Sequence, residues 1–211
     1  MRRRGSVVWL ASGALVTSLA LLVPAPSGAQ PGRGEFSNGT VVHFGDSFID
    51  AGLRQTLGPK FRGEKTRYIP KPKTSSYLGT WATPDALLPL YWTWRPSLFL
   101  ITLGANEGWA EPQSRVGMVR TISRGLKGVP CVWLGIPFWK GVPPGLNEMI
   151  QRESAPCRFF DSSALAEKMP RTTFDGRHPT NEGGAMWADA FWTWLMAERD
   201  PNKGPWGLKP P

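Results

Sequence analysis

Residues 98–103 read Leu-Phe-Leu-Ile-Thr-Leu, and Gly104-Ala105-Asn106 follows directly. The run is apolar along its length and lacks the alternation of a strand with one face in water. This pattern is typical of a strand in a parallel sheet that helices cover on both faces. Ligands bind beyond the carboxyl ends of such strands, so Asn106 lies where a functional site is expected.

The segments around this run alternate between short β-rich stretches and helical patterns. Strands are predicted at Thr40–Phe44, around Thr66–Ile69, and at Leu98–Leu103, Val129–Ile136 and Arg158–Asp161. Helices are predicted at Phe48–Leu57, Thr83–Thr93, Arg115–Leu126, Gly145–Glu153 and Asn181–Glu198. Gly58-Pro59 is expected to end the first helix and to open a basic loop that reaches Lys73. Strand–helix alternation without repeats favours one α/β domain with a mainly parallel sheet.

Composition excludes several classes of protein. With 211 residues, 41% apolar and 19% charged, the chain is neither disordered nor a collagen-like repeat, and two cysteines are too few for a disulfide-dense scaffold. The net charge of +9 raises the question of nucleic acid. Because lysines and arginines are scattered after Arg4, we expect no nucleic-acid partner.

The N-terminus has the pattern of a secretory signal peptide. Met1-Arg2-Arg3-Arg4 precedes the mostly apolar stretch Val7–Val23, and Ser27-Gly28-Ala29 supplies small residues for cleavage after Ala29. The alternative is an uncleaved anchor, for which the stretch is short. We therefore expect a secreted or periplasmic protein with no stable membrane insertion after cleavage.

This interpretation divides the chain into four parts. Residues 1–29 are the signal peptide, 30–39 a linker, 40–198 the folded domain and 199–211 a C-terminal tail. Export permits a disulfide, and Cys131 and Cys157 each open an apolar run that is predicted to be one of two neighbouring parallel strands. Such strands are about 4.8 Å apart, which a disulfide tolerates. A pair of buried thiols is the alternative, and the sequence leaves both open.

Three short motifs follow predicted strands or lie in a predicted loop. Gly45-Asp46-Ser47 follows the first strand, Gly104-Ala105-Asn106 the central one, and Asp175-Gly-Arg-His178 precedes the last helix. A nucleophilic serine needs a tight turn that presents its hydroxyl, an asparagine amide can donate to an oxyanion, and a histidine base needs a carboxylate on its other ring nitrogen. Each motif alone is a common turn, but together they indicate a serine hydrolase site.

The chain has two histidines, which narrows the choice of base. His43 lies inside the first predicted strand, where packing or a hydrogen bond is its expected role. His178 lies in a loop beside Asp175 and is the expected general base. A base must start neutral, so we expect the rate to rise with pH as the imidazole loses its proton. This chemistry needs no metal or organic cofactor.

The three motifs resemble blocks I, III and V of the SGNH/GDSL hydrolases. The resemblance runs from about Thr40 to Leu195, with the blocks in family order. It implies a three-layer α/β/α sandwich around about five parallel strands in flavodoxin-like order. It also implies that Ser47 is the nucleophile, that His178 is the base and that Asp175 orients the base.

The resemblance further implies an oxyanion hole that uses the Asn106 side chain and the backbone N–H of Ser47. The glycine of the family's block II fits poorly here, because the region reads Pro-Lys-Thr-Ser-Ser-Tyr-Leu-Gly-Thr over residues 72–80. Gly79 is the candidate for this further donor, and Ser75 and Ser76 are the alternatives.

The expected substrate is a small-molecule or polysaccharide ester with a short acyl group, such as O-acetyl on a carbohydrate. Aromatic faces suit sugar rings, and five tryptophans fall in or near the loops of the proposed site: Trp81, Trp92, Trp94, Trp109 and Trp139. Trp109 is the best candidate for lining the site because it follows Asn106 by three residues. Trp133, Trp187 and Trp194 are expected to lie in the core.

Two other functions fit the same motifs. An acyltransferase of this fold would pass the acyl group to a sugar hydroxyl instead of water. A non-catalytic carbohydrate- or envelope-binding protein could retain the fold, although the intact Ser47, Asp175 and His178 argue against that function. The sequence does not determine the oligomeric state.

Overall fold

The computed structural model describes residues 36–210 of the chain. The predicted signal peptide, residues 1–29, lies outside the described residues, as does most of the predicted linker. No helix within residues 36–210 is long and apolar enough to cross a membrane.

Within residues 36–210, five strands form one parallel sheet, and six α-helices surround it. The strands are β1 (Thr40–Gly45), β2 (Arg67–Pro72), β3 (Leu98–Thr102), β4 (Cys131–Leu134) and β5 (Arg158–Phe160). The helices are α1 (Leu53–Gly63), α2 (Leu78–Trp81), α3 (Pro84–Trp94), α4 (Val116–Gly125), α5 (Leu146–Glu153) and α6 (Asn181–Glu198). The strand order is β2-β1-β3-β4-β5, which confirms the predicted parallel sheet and its flavodoxin-like order.

Both faces of the sheet are covered, as its apolar strands require. Val41 belongs to a core that contains residues of α1 and α6, whereas its neighbour Val42 belongs to a second core with residues of α2, α3, α4 and α5. Successive side chains of a strand point to opposite faces, so these two cores lie on the two sides of the sheet. This arrangement confirms the predicted α/β/α sandwich.

The first long helix differs from the prediction, because α1 starts at Leu53 and continues through Gly58-Pro59 to Gly63. Proline inside a helix costs about 3 kcal/mol and leaves one carbonyl without a partner. Here that carbonyl belongs to Gln55, which is exposed like Pro59, so water can bind it. Leu57 and Phe61 on the other side of α1 are fully buried against α6, and this packing offsets the cost.

The predicted loop from Gly58 to Lys73 contains the end of α1, which the prediction missed. It also contains the strand β2, which confirms the strand predicted around Thr66–Ile69 and extends it to Pro72. Sequence signals for β2 are weak because Pro70 and Pro72 interrupt it. Proline removes a backbone donor and is accepted mainly in edge strands. Strand β2 lies at the edge of the sheet, which explains why the strand persists there.

Residues beyond 198, predicted to be a tail, also pack onto the domain. Trp206 is fully buried beside Phe61 and Trp192, and its indole N–H donates to Thr66 Oγ1 at 3.0 Å. Cys131 and Cys157, for which two states were open, form a disulfide that joins β4 to the start of β5, with Cα atoms 4.6 Å apart.

Candidate active site

The turn that carries Ser47 is fixed to the neighbouring strand. Gly45 ends β1 with φ at +154°, and a Cβ atom there would lie 1.8 Å from the carbonyl oxygen of Thr102, so only glycine fits. The next residue, Asp46, donates its N–H to the same carbonyl at 2.9 Å. Ser47 then begins a short 3₁₀ turn, where the first N–H groups have no partner inside the turn. The turn therefore presents both the Ser47 hydroxyl and the Ser47 backbone N–H.

His178 lies within hydrogen-bond distance of Ser47, although the two are 131 residues apart in sequence. The Ser47 Oγ–His178 Nε2 distance is 2.8 Å, and Nδ1 of the same ring is 2.5 Å from Asp175 Oδ2. With the ring proton on Nδ1, the imidazole donates to the carboxylate and accepts the serine hydroxyl. The structure thus brings together the three residues that the sequence nominates as nucleophile, base and orienter.

Asp175 is held as a carboxylate by four hydrogen bonds. Its Oδ1 accepts from the Thr172 hydroxyl at 2.7 Å, the Arg177 N–H at 2.9 Å and the His178 N–H at 3.1 Å. Partial burial raises the pKa of Asp175, but the bonds from Arg177, the His178 ring, Thr172 and the His178 backbone outweigh it. Together they hold the pKa well below the usual range of an aspartate. The negative charge needed to support an imidazolium is therefore built into this loop.

The distance between Ser47 and His178 depends on a glycine contact that sequence reasoning missed. A Cβ atom at Gly184 in α6 would lie 1.9 Å from the carbonyl oxygen of Ala51 and 2.6 Å from the Cα of Gly52. The start of α6 therefore packs backbone to backbone against the segment just after Ser47. This contact sets how closely the loop before α6, with His178, approaches the serine turn.

The predicted oxyanion-hole residues occupy different places. Asn106 is exposed in a 3₁₀ turn after β3, and its Nδ2 donates to the Ser76 carbonyl at 2.8 Å, which leaves its second N–H free for a ligand. The N–H of Ser76 donates to the Lys73 carbonyl at 3.1 Å. Gly79 lies in the exposed first turn of α2, and Ser75 is exposed with φ at +57°. Because the Ser76 N–H is already bonded to Lys73, the backbone N–H groups of Ser75 and Gly79 remain the candidates for the further oxyanion donor.

Asp46 links the serine turn to the asparagine turn, a role that the sequence did not reveal. The side chain is fully buried, and its two oxygens accept from the Phe48 N–H at 3.0 Å and the Ala105 N–H at 3.3 Å. Burial raises the pKa of Asp46 to about 7, against the effect of these backbone donors.

Aromatic side chains pack near His178 and along the 138–142 segment. The Trp109 side chain, predicted to line the site, is 63% exposed and lies against Gly141. The Trp139 and Phe48 rings have centroids 6.3 Å apart, and the Phe48 ring is 4.9 Å from that of His178.

The other predicted loop tryptophans lie away from these rings or in the core. Trp81 is buried, and its N–H donates to Ser76 Oγ. Trp92 is exposed and Trp94 is half-buried, both on α3. Trp133 and Trp187 are core residues, as predicted, and Trp194 is half-buried beside Phe191.

A groove of about 840 Å³ lies beside the loop that carries Asp175 and His178. Its lining includes Trp139, Lys140, Glu167, Arg171 and Gly176. Arg171 donates to the carbonyls of Arg177 and Pro137, so it connects the two loops that border the groove. Among residues 36–210, no group of three or more His, Cys, Asp or Glu side chains is placed to hold a metal ion.

No protein-family model matches this sequence. The chain is 27% identical over 130 residues to protein BcsX of Komagataeibacter xylinus, a match that covers 52% of this chain and 47% of that protein. The chain thus aligns with about half the length of this curated relative.

Solved structures give closer agreement in fold than in sequence. TesA superposes with a TM-score of 0.60 at 17% identity, over 75% of this chain and 98% of TesA. A putative lipolytic protein of the G-D-S-L family from Desulfitobacterium hafniense does so with 0.60 at 14%, over 75% and 100%. A catalytic mutant of Axe2, an acetylxylan esterase from Geobacillus stearothermophilus, gives 0.57 at 13%, over 74% and 93%.

These likenesses define the fold class. The chain has the α/β/α fold of the SGNH/GDSL hydrolases, with the five parallel strands and the three sequence blocks in the expected order.

Proposed function

We propose that this protein is an exported serine esterase that hydrolyses carboxylic esters through an acyl-enzyme. The observation that carries the proposal is the contact of Ser47 with His178 Nε2, while Asp175 binds the other ring nitrogen. The fold supports the same activity, since esterases such as Axe2 and the psychrotrophic EstA of Pseudoalteromonas share it. An assembled triad also argues against a purely binding protein.

The reaction follows from these positions. His178 takes the Ser47 proton as Oγ attacks the ester carbonyl, and the new O–C bond leaves a tetrahedral oxyanion. The oxyanion collapses, the C–O bond to the alcohol breaks, and His178 returns its proton to the alkoxide. Water then attacks the acyl-enzyme, gives a proton to His178, and the acid departs as Ser47 regains its proton.

The oxyanion needs donors that point to it before the reaction begins. Asn106 supplies its second amide N–H, the serine turn supplies the Ser47 N–H, and Ser75 or Gly79 supplies a further backbone N–H. One such donor is worth about 3 kcal/mol of transition-state stabilisation.

We further propose that the alcohol part of the substrate is a carbohydrate and the acyl group is short. The groove beside the loop that carries Asp175 and His178 presents the Trp139 ring and the charged groups of Lys140 and Glu167, and the exposed Trp109 lies against Gly141 of the same lining. Aromatic faces together with hydrogen-bonding groups match the two kinds of surface on a sugar. The acetylxylan esterase Axe2, which shares the fold, acts on such an ester.

The test follows the purified protein on p-nitrophenyl acetate, butyrate and octanoate, and on acetylated xylan. We expect turnover that is greatest with acetate, release of acetate from the polysaccharide, and a loss of at least about 10³-fold in Ser47→Ala. Ser163→Ala, which changes an exposed serine of another loop, is the matched control and should retain activity.

Equal turnover by wild type and Ser47→Ala would contradict the esterase. Acyl groups that appear on an added oligosaccharide, with no free acid, would assign the site to acyl transfer. Export is part of the same proposal. Sequencing the N-terminus of the exported chain tests it, and Gln30 is the expected first residue.

A further inference from the structure

Two carboxyl groups are buried at the end of the sheet where Ser47 lies. Asp46 is fully buried and Glu107 is 2% exposed. Asp46 joins the turn of Ser47 to that of Ala105. Glu107, in the same 3₁₀ turn as Asn106, is not used in the proposed reaction. A buried carboxyl group is costly unless its bonds serve a purpose, so its contacts are informative.

Glu107 and Asn106 hold the same short segment at two points. Glu107 Oε1 accepts the N–H of Leu78 at 2.6 Å, and Asn106 Nδ2 donates to the carbonyl of Ser76 at 2.8 Å. The Leu78 N–H is one of the donors at the start of α2 that have no partner inside the helix. The carboxyl group of Glu107 therefore caps α2 from a distant turn and fixes residues 76–78 against Asn106.

The other oxygen of Glu107 is buried with no hydrogen-bond partner among the described residues. Burial raises the pKa of Glu107, while the bond from Leu78 and the positive charge of Arg115 oppose that rise. The nearby carboxyl group of Asp46 has its own pKa raised by Glu107. Only one oxygen of Glu107 accepts a hydrogen bond from the described residues, and a glutamine side chain has the same shape and supplies the same acceptor to Leu78.

We propose that Glu107 is a positioning residue, which fixes residues 76–78 so that the Asn106 amide bound to them directs its free N–H at the oxyanion. The inference rests on the proposed esterase function. Losing the Glu107 bond leaves a buried N–H unpaired and frees the segment that orients Asn106. A displacement of about 1 Å at such a donor can cost about 10²-fold in rate.

The experiment measures kcat and KM of Glu107→Ala, Glu107→Asp and Glu107→Gln with p-nitrophenyl acetate. In Glu107→Ala and in Glu107→Asp, whose carboxyl group is too short to reach Leu78, kcat should fall about 10- to 100-fold with KM within about threefold. Glu107→Gln should keep kcat within about threefold. Glu111→Ala is the matched control, since it removes an exposed carboxylate that caps the next turn through Ser114, and it should keep kcat.

A second readout does not need turnover. Amide hydrogen exchange of the peptide that contains residues 73–82 should accelerate at least about tenfold in Glu107→Ala and Glu107→Asp but not in Glu107→Gln. If Glu107→Ala does not fold, the Asp and Gln variants decide.

The inference is overturned if Asp and Gln variants share the same kcat, if only KM changes, or if exchange is unaffected. If the wild type shows no turnover that depends on Ser47, the esterase proposal fails. The exchange data then still determine whether Glu107 holds the segment.

Discussion

His43 lies in the middle of β1, fully buried, with its ring nitrogens 2.6 Å from the Tyr68 hydroxyl and 2.7 Å from Thr102 Oγ1. His178 lies in the loop before α6, with its side chain 36% exposed between Ser47 and Asp175. The same side chain thus occurs once inside a strand and once in a loop. Burial lowers the pKa of His43 to about 3, and within the described part of the chain its ring nitrogens contact hydroxyl groups and no charged group.

The difference shows how environment decides the role of a histidine. Two hydroxyl partners can accept or donate to suit either neutral tautomer, so His43 stays neutral and contributes to folding. A carboxylate partner instead stabilises the imidazolium that forms when a base takes a proton. His178 has such a partner and His43 does not. The comparison therefore predicts loss of activity at one site and loss of stability at the other.

Replacing His178 gives the largest expected effect. In His178→Gln no group can take the Ser47 proton, so kcat on p-nitrophenyl acetate should fall at least about 10³-fold while the free energy of unfolding stays within about 1 kcal/mol. Steady-state kinetics and urea unfolding measure the two quantities. A variant that keeps more than a tenth of wild-type kcat would end the assignment of His178 as the base.

Replacing His43 should have the opposite result. In His43→Gln a buried hydrogen bond is lost, which lowers the free energy of unfolding by about 1–3 kcal/mol at pH 7, whereas kcat should stay within about threefold. A fall in kcat as large as that in His178→Gln, in protein that is still folded, would break the comparison.

The pH dependence of this stability difference has a defined sign. The pKa of His43 is about 3 in the folded protein and about 6.5 when unfolded. Between these values the unfolded chain binds more protons, so the contribution of His43 is fully present above pH 6.5 and is lost as the pH falls. Wild type should therefore lose its advantage over His43→Gln by up to about 1.4 kcal/mol per pH unit below pH 6. Unfolding at pH 4, 5, 6 and 7 measures this, and a constant difference would contradict a buried neutral His43.

Much of the site could be predicted because each residue follows a strong local pattern. The runs before Ser47 and Asn106 are apolar enough to be recognised as covered strands, and parallel strands bring their carboxyl ends to one edge. His178 could be chosen because His43 falls inside a strand. The last helix has the predicted bounds, Asn181–Glu198, since its capping residue Thr180 and its apolar periodicity agree.

What the sequence did not reveal depends on contacts between distant segments. The continuation of α1 through Pro59 depends on packing against α6, and the extension of β2 to Pro72 depends on an edge position that tolerates proline. The close approach of Gly184 to Ala51 involves two glycine-rich or small-residue segments with no local signature. Glu107 reads as an ordinary turn residue until the fold places its carboxyl group on α2.

The measurement that tests the central claim most directly is covalent labelling with an alkyl p-nitrophenyl phosphonate, followed by mass spectrometry of peptides. A Ser47 hydroxyl activated by His178 should displace p-nitrophenolate and form one phosphonate ester per chain, on Ser47. His43→Gln should label at the wild-type rate, and Ser47→Ala and His178→Gln should label at least about 10²-fold more slowly. Label on another residue, or none on folded wild-type protein, would contradict the account.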